Sequence, residues 1–165
     1  MPEKETIDRA REDAREGKSP STQAGEFVRE EVHHIREGKH GAQSTKQALA
    51  IGLSKARRAG VKLRAPRRGK TSTEARAKAK RDLSEARSHA RRQPSARRSR
   101  AISKGLKREG HGAASARSLS KQARASAKSR GTVARHQAAM KALQTKDKAG
   151  RSQAARKAAR TRAAA

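Results

Sequence analysis

The chain has 165 residues, with 44 Lys and Arg against 15 Asp and Glu, for a formal net charge of +29. Beside 34 alanines it holds only 18 other apolar residues; Leu, Ile, Val and Phe together number 16, about half the share below which a highly charged chain is expected to stay disordered. Phe27 is the only Phe, Tyr or Trp and there is no cysteine, which excludes an aromatic-lined enzyme pocket, a disulfide framework, a thiolate zinc site and a thiol nucleophile.

Charge is unevenly spread. Residues 1–35 carry six basic and nine acidic groups, net −3, and residues 36–165 carry 38 and six, net +32. The first 18 residues, with Glu3, Glu5, Asp8, Glu12, Asp13 and Glu16, form an acidic leader. It reads as a frayed polar helix, with the alternative that it lies over the basic region and weakens non-specific binding. Ser19-Pro20 then offers a cap and a first-turn proline, and Val28, Val32 and Ile35 make one apolar stripe that stops at Gly38. Ser44-Thr45-Lys46-Gln47 has capping-box spacing, and Gly60 ends the helix it opens. These two helices define a helical hairpin unit over 19–64, followed by a basic linker over 65–70.

A second capping box, Thr71-Ser72-Thr73-Glu74, opens a polar helix that must end before Pro94. Further segments run from Ser95 to Gly110, Ser115 to Gly131, Thr132 to Gly150, and Ser152 to the end. Residues 71–165 are therefore a basic extension, helical or disordered, and nothing beyond Val61-Lys62-Leu63 reads as strand. The fold expected is all-α: a small hairpin unit plus basic, helix-forming, partly disordered extensions that order fully only on nucleic acid.

An internal repeat links the two halves. Arg36-Glu37-Gly38-Lys39-His40-Gly41-Ala42-Gln43-Ser44 returns as Arg108-Glu109-Gly110-His111-Gly112-Ala113-Ala114-Ser115. Both copies continue into a basic helix containing Leu-Ser-Lys, at Leu53-Ser54-Lys55 and Leu119-Ser120-Lys121, and end on Gly60 or Gly131. This makes 97–131 a partial repeat of the hairpin. Arg15-Glu16-Gly17-Lys18 is a shorter echo.

On the helix from Ser44 to Gly60, Ala48, Leu49, Ile51, Gly52, Leu53, Ala56 and Ala59 share one arc at about 100° per residue. Ala48, Gly52 and Ala56 form a ladder of small residues that admits a close partner helix, the Val28/Val32/Ile35 stripe. Lys46, Gln47, Ser54, Arg57 and Arg58 fall on the other side, and Lys55 falls within the apolar arc. Lys62, Arg64, Arg67, Arg68 and Lys70 continue the positive charge without a carboxylate until Glu74. The candidate phosphate contacts are Lys46, Lys55, Arg57, Arg58, Lys62, Arg64, Arg67, Arg68 and Lys70, then Arg97, Arg98, Arg100, Lys121 and Arg124. Ala65-Pro66-Arg67-Arg68-Gly69-Lys70 resembles the minor-groove arm called an AT-hook but lacks its Arg-Gly-Arg-Pro order, and a plain basic linker is the other reading.

The stretch Gly25-Glu26-Phe27-Val28-Arg29-Glu30-Glu31-Val32-His33-His34-Ile35, through Arg36-Glu37-Gly38-Lys39-His40-Gly41 and Ser44-Thr45-Lys46-Gln47-Ala48 to Leu63, resembles a bacterial family of small, basic, Ala/Lys/Arg-rich proteins. That family is a domain of unknown function, often labelled DNA-binding. Gln47-Ala48-Leu49-Ala50-Ile51-Gly52-Leu53-Ser54-Lys55-Ala56-Arg57 is the specific part. The Ala/Arg/Lys style of the C-terminal end is similar to linker-histone tails and bacterial histone-like proteins. What the resemblance implies is DNA binding.

No apolar run approaches the ~18 residues of a membrane span and no signal-peptide core follows Met1, so a cytoplasmic, nucleoid location and no membrane partner are expected. The expected function is non-sequence-specific binding of double-stranded DNA in the manner of a histone-like nucleoid protein, by phosphate neutralisation with bridging or compaction. Two alternatives stand beside it: an RNA- or ribosome-associated basic protein, and an assembly protein whose 27–63 unit binds a protein partner. The sequence fixes no oligomeric state. No catalytic motif, cofactor or metal site is expected. His33 and His34 point about 100° apart on a helix, and although His40 can approach either, no carboxylate is expected to complete a ligand set. Carboxylates of the basic region are read as isolated, with Glu74 assigned to its cap.

Overall fold

The computed structural model describes residues 2–69, 71–87 and 95–145, with positions 152–153, 156, 159–160 and 163 beyond. Among these residues every regular element is helical: α1 (Lys4–Arg15), α2 (Pro20–Arg36), α3 (Thr45–Arg58), α4 (Thr73–Arg87), α5 (Ala96–Arg108), a 3-10 turn at Gly112–Ala114, and α6 (Ala116–Thr145). The all-α expectation holds. The chain forms two compact units, Met1–Ser120 and Lys121–Ala165. Lys70 and Pro94 lie outside the described residues, as do 146–151, so the stop expected at Gly150 falls there too.

The helix boundaries follow from local chemistry. Ser19 Oγ accepts from the Thr22 amide at 3.3 Å and Pro20 takes the first position of α2. Ser44 Oγ accepts from the Gln47 amide at 3.2 Å. The reciprocal bond of this box is shifted by one residue, since Gln47 Oε1 accepts from the Gln43 amide at 2.8 Å. On α4 the cap is Ser72, whose Oγ accepts from the Ala75 amide at 3.2 Å, not Thr71; Glu74 sits in the first turn, where its charge suits the helix dipole.

Three helices end on the same device. After α1, α2 and α3 the chain reverses through left-handed Gly17, Gly38 and Gly60, with φ of +71°, +75° and +97°. In each case the next amide reaches back to an orphaned carbonyl: Lys18 to Asp13 at 2.8 Å, Lys39 to His34 at 3.0 Å, Val61 to Ala56 at 3.1 Å. The Arg15-Glu16-Gly17-Lys18 echo of Arg36-Glu37-Gly38-Lys39 is thus a shared helix stop.

The core is built from alanine and a few larger side chains. One cluster joins Ala10, Ala24, Phe27, Ala56 and Val61, with Ile7, Leu53 and Leu63 packed against it. The other joins Ile35, Ala42, Ala48 and Ala114, flanked by Val32 and Ala113. The expected pairing of α2 with α3 is present and close: a Cβ on Gly52 would stand 2.8 Å from Val28 Cα and 3.0 Å from Phe27 O. Small side chains let the backbones approach, so modest residues bury what their volume alone would not.

The hairpin does not stand alone. The acidic leader is a packed helix, with Thr6 and Ala10 buried and Ile7 against the Phe27 cluster. Its charges are matched at short range by Glu5–Arg9, Asp8–Arg11 and Glu12–Arg15 on α1 and by Arg9–Glu26 at 2.9 Å to α2. It is therefore packed on α2 rather than frayed. On the other side α4 packs on α3 through buried Ala79 and Asp82, and Asp82 Oδ2 accepts from Ser54 Oγ at 2.6 Å. Asp82, expected to be isolated, fastens α4.

The two copies of the repeated turn dock on one another. The Gly41 amide donates to Leu106 O at 2.9 Å, the Ala42 amide to Gly110 O at 3.2 Å, Thr45 Oγ1 to Ala113 O at 2.7 Å and Arg36 Nε to Ala114 O at 2.9 Å. A Cβ on Gly41 would lie 1.9 Å from Glu109 O, so only glycine admits this approach. The copies differ in backbone: Glu109 is extended and Gly110 is not left-handed, whereas Gly38 is. Each is followed by a serine cap, Ser44 for α3 and Ser115 for α6, the latter accepting from the Ser118 amide at 3.2 Å. The second copy's helix breaks at its expected terminal glycine: Gly131 is non-helical (φ +77°, ψ 171°), so α6 is two helical stretches that meet at a kink there.

Candidate nucleic-acid interface

The fourteen basic positions singled out from sequence separate into groups once placed. Lys46 stands exposed in the first turn of α3, and Arg58 at its end is exposed with Nε donating to Ser54 O at 3.4 Å. Lys62, Arg64, Arg67 and Arg68 are exposed along the irregular segment between α3 and α4. Arg97, Arg98 and Arg100 are exposed on α5, and Lys121 and Arg124 on α6 in the second unit. Lys70 lies outside the described residues.

Lys55 and Arg57 are elsewhere. Lys55 faces α2, its side chain 14% exposed, with Nζ 2.9 Å from Glu30 Oε1 and 2.8 Å from Glu31 Oε2. Burial disfavours its charge, but the carboxylates of Glu31 and Glu30 outweigh burial and hold its pKa above the ordinary amine range. Arg57 is buried, which lowers its pKa against the opposing pull of Asp82, and its Nε donates to Leu63 O at 3.4 Å. Both cations hold the fold together and are removed from any phosphate-facing surface. The sequence had flagged the first, since Lys55 falls within the apolar arc of its helix. Arg57 was placed on the polar face because α4, which brings the charge of Asp82 to it, lies more than a dozen residues further on.

What sequence reading missed is the organisation of α5. Its thirteen residues include Arg97, Arg98, Arg100, Lys104, Lys107 and Arg108, no acidic residue and no buried one. At about 100° per residue, Arg97, Arg100, Lys104, Lys107 and Arg108 fall within an arc of about 100°, opposite Ile102 and Leu106. All six cations are exposed, and among the described residues none pairs with a carboxylate. The i, i+3, i+7, i+10 spacing was available as a signal. In the second unit Lys121, Arg124 and Lys128 are exposed at i, i+3, i+7 on α6 and share a face in the same way. By contrast, acidic partners occupy the cations of the first helices: Glu12 holds Arg15, Asp13 and Glu16 hold Lys18, and Glu3 and Glu37 hold Lys39.

A separate polar cluster forms where α1, α2 and the first turn meet. The expectation that no carboxylate joins the histidines is overturned: ligand-capable atoms of Glu31, His34 and His40 all lie within 4.8 Å of one another. Glu31 precedes His34 by three residues, which puts both on one face of α2. No family model, curated protein or solved structure matches the chain. Among the described residues no helix is long and apolar enough to cross a membrane.

Proposed function

We propose that the protein binds double-stranded DNA without sequence preference, as a histone-like, nucleoid-associated protein of the bacterial family it resembles. The observation that carries this reading is the basic stripe of α5, five exposed cations on one helical face with no carboxylate among them. A helix of thirteen residues is about 20 Å long, and duplex DNA offers a phosphate charge about every 1.7 Å of its axis. Such a stripe matches a backbone, not a base sequence. The exposed cations from Lys62 to Arg68 and on α6 supply further contacts, and several contact segments on one chain favour bridging over simple coating. With one aromatic side chain, and that one buried, base stacking on single strands has no platform.

Replacing Arg97, Arg100 and Lys104 by alanine together tests the reading. Each lost phosphate contact lowers the slope of log affinity against log salt by about 0.9, so the triple variant should lose roughly 2–3 from the slope in a fluorescence titration. Replacing Arg15 and Arg29, which pair with Glu12 and Glu26, should leave the slope unchanged. Equal slopes for the two variants would remove α5 from the interface.

A further inference from the structure

The polar cluster beside the first turn is not needed for phosphate contact, and its geometry asks for an explanation of its own. Glu31 is fully buried, and neither of its carboxylate oxygens receives a directed hydrogen bond. Its Oε2 has Lys55 Nζ at 2.8 Å, an ion pair by distance if not by angle. Charge attraction requires only distance, so Oε2 is neutralised. Its Oε1 faces His40 Nε2 at 3.5 Å. That separation exceeds a good hydrogen bond. Two ligand atoms each 2.0–2.1 Å from one tetrahedral ion lie roughly 3.3 Å apart.

The imidazoles are arranged to match. His40 Nδ1 lies 3.1 Å from Gly41 O; since a carbonyl only accepts, Nδ1 carries the hydrogen, and in the neutral ring this leaves the lone pair on the Nε2 that faces Glu31. His34 Nε2 lies 2.8 Å from Glu3 Oε1 and by the same logic donates to it. Each ring is thus oriented by a carbonyl or carboxylate on one nitrogen, the outer arrangement that metal-bound histidines use. The two rings meet edge to face, with centroids 6.2 Å apart at 84°.

We propose that Glu31, His34 and His40 form a binding site for one divalent transition-metal ion of the zinc type. Two imidazoles and one carboxylate are a donor set for zinc and its neighbours rather than for magnesium or calcium, which take oxygen. Glu3 and Gly41 O orient the imidazoles, and Lys55 balances the second oxygen of Glu31. The ion would tie α2 to the turn on which the second repeat copy docks, so its role is structural. The site is independent of the DNA-binding reading.

The test uses the full chain, nuclease-treated and purified at high salt so that no nucleic acid carries metal. Titration with Co2+, followed by visible absorbance, and with Zn2+, followed by calorimetry, should give one ion per chain. Zn2+ should also raise the melting temperature, because an ion that binds the folded state stabilises it by mass action. His40→Gln, on the turn, should weaken binding at least about tenfold and abolish the thermal shift while the helical circular dichroism stays intact. His33→Gln is the control, because His33 is exposed and faces Glu37 at 2.8 Å. Failure to bind either ion, or binding that His40→Gln leaves unchanged, overturns the proposal.

Discussion

Glu30, Glu31 and Lys55 show how a chain this basic uses its few carboxylates. Burial works against ionisation of Glu30, but Lys55, the Glu3 amide and Thr6 outweigh it and hold its pKa below the ordinary carboxylate range. Lys55 is held above the ordinary amine range by the same pairing. A depressed carboxylate adds stability that is present above its unfolded value, about 4.3, and lost as pH falls through the folded one. A raised lysine adds stability that is present below about 10.4 and lost as pH rises through its folded value. Urea unfolding should therefore give a midpoint that is flat between these limits, falling on the acid side and again on the alkaline side. Lys55→Met should weaken the alkaline fall and cost about 3–5 kcal/mol, because it strands two buried carboxylates. A midpoint unmoved by Lys55→Met would mean that the pair contributes nothing to the fold. None of this was visible in sequence beyond the oddity of a lysine inside an apolar arc, since its partners lie 24 and 25 residues away on another helix.

At the level of elements, the helices were legible because their signals are local. Ser19-Pro20, Ser44 and the glycines at 38 and 60 act within one turn, and the small-residue ladder at Ala48, Gly52 and Ala56 named its partner stripe. What sequence did not reveal depends on distant contacts. The leader looked like a frayed helix because six acidic groups dominate it, yet Ile7 and Ala10 decide its place by packing on the Phe27 cluster. Asp82 looked isolated because Ser54 is 28 residues before it. The repeat was readable as a duplication, but not the docking of its copies, which turns on the absence of a side chain at Gly41. Gly41→Ala places a methyl group 1.9 Å from Glu109 O and should drive the second copy off the first. Amide hydrogen exchange should then lose protection at Gly41 and Ala42, whose amides donate across the junction, while α2 and α3 stay protected. Protection unchanged at those two amides would show that the copies do not depend on this contact.

For the molecule as a whole, folding sorts the charge. Acidic groups are used in the first helices, where they pair with nearby cations, and among the described residues exposed cations without a carboxylate partner gather on α5, on α6 and in the segment before α4. That sorting is the basis of the proposed function. It is tested most directly by a salt-titrated competition in which the full chain chooses among duplex DNA, duplex RNA and single-stranded DNA. The account predicts preference for duplex DNA and, with 6–10 phosphate contacts, an affinity that falls roughly 10³–10⁵-fold between 50 and 200 mM salt. Preference for RNA, or an affinity for DNA that salt does not change, would contradict it.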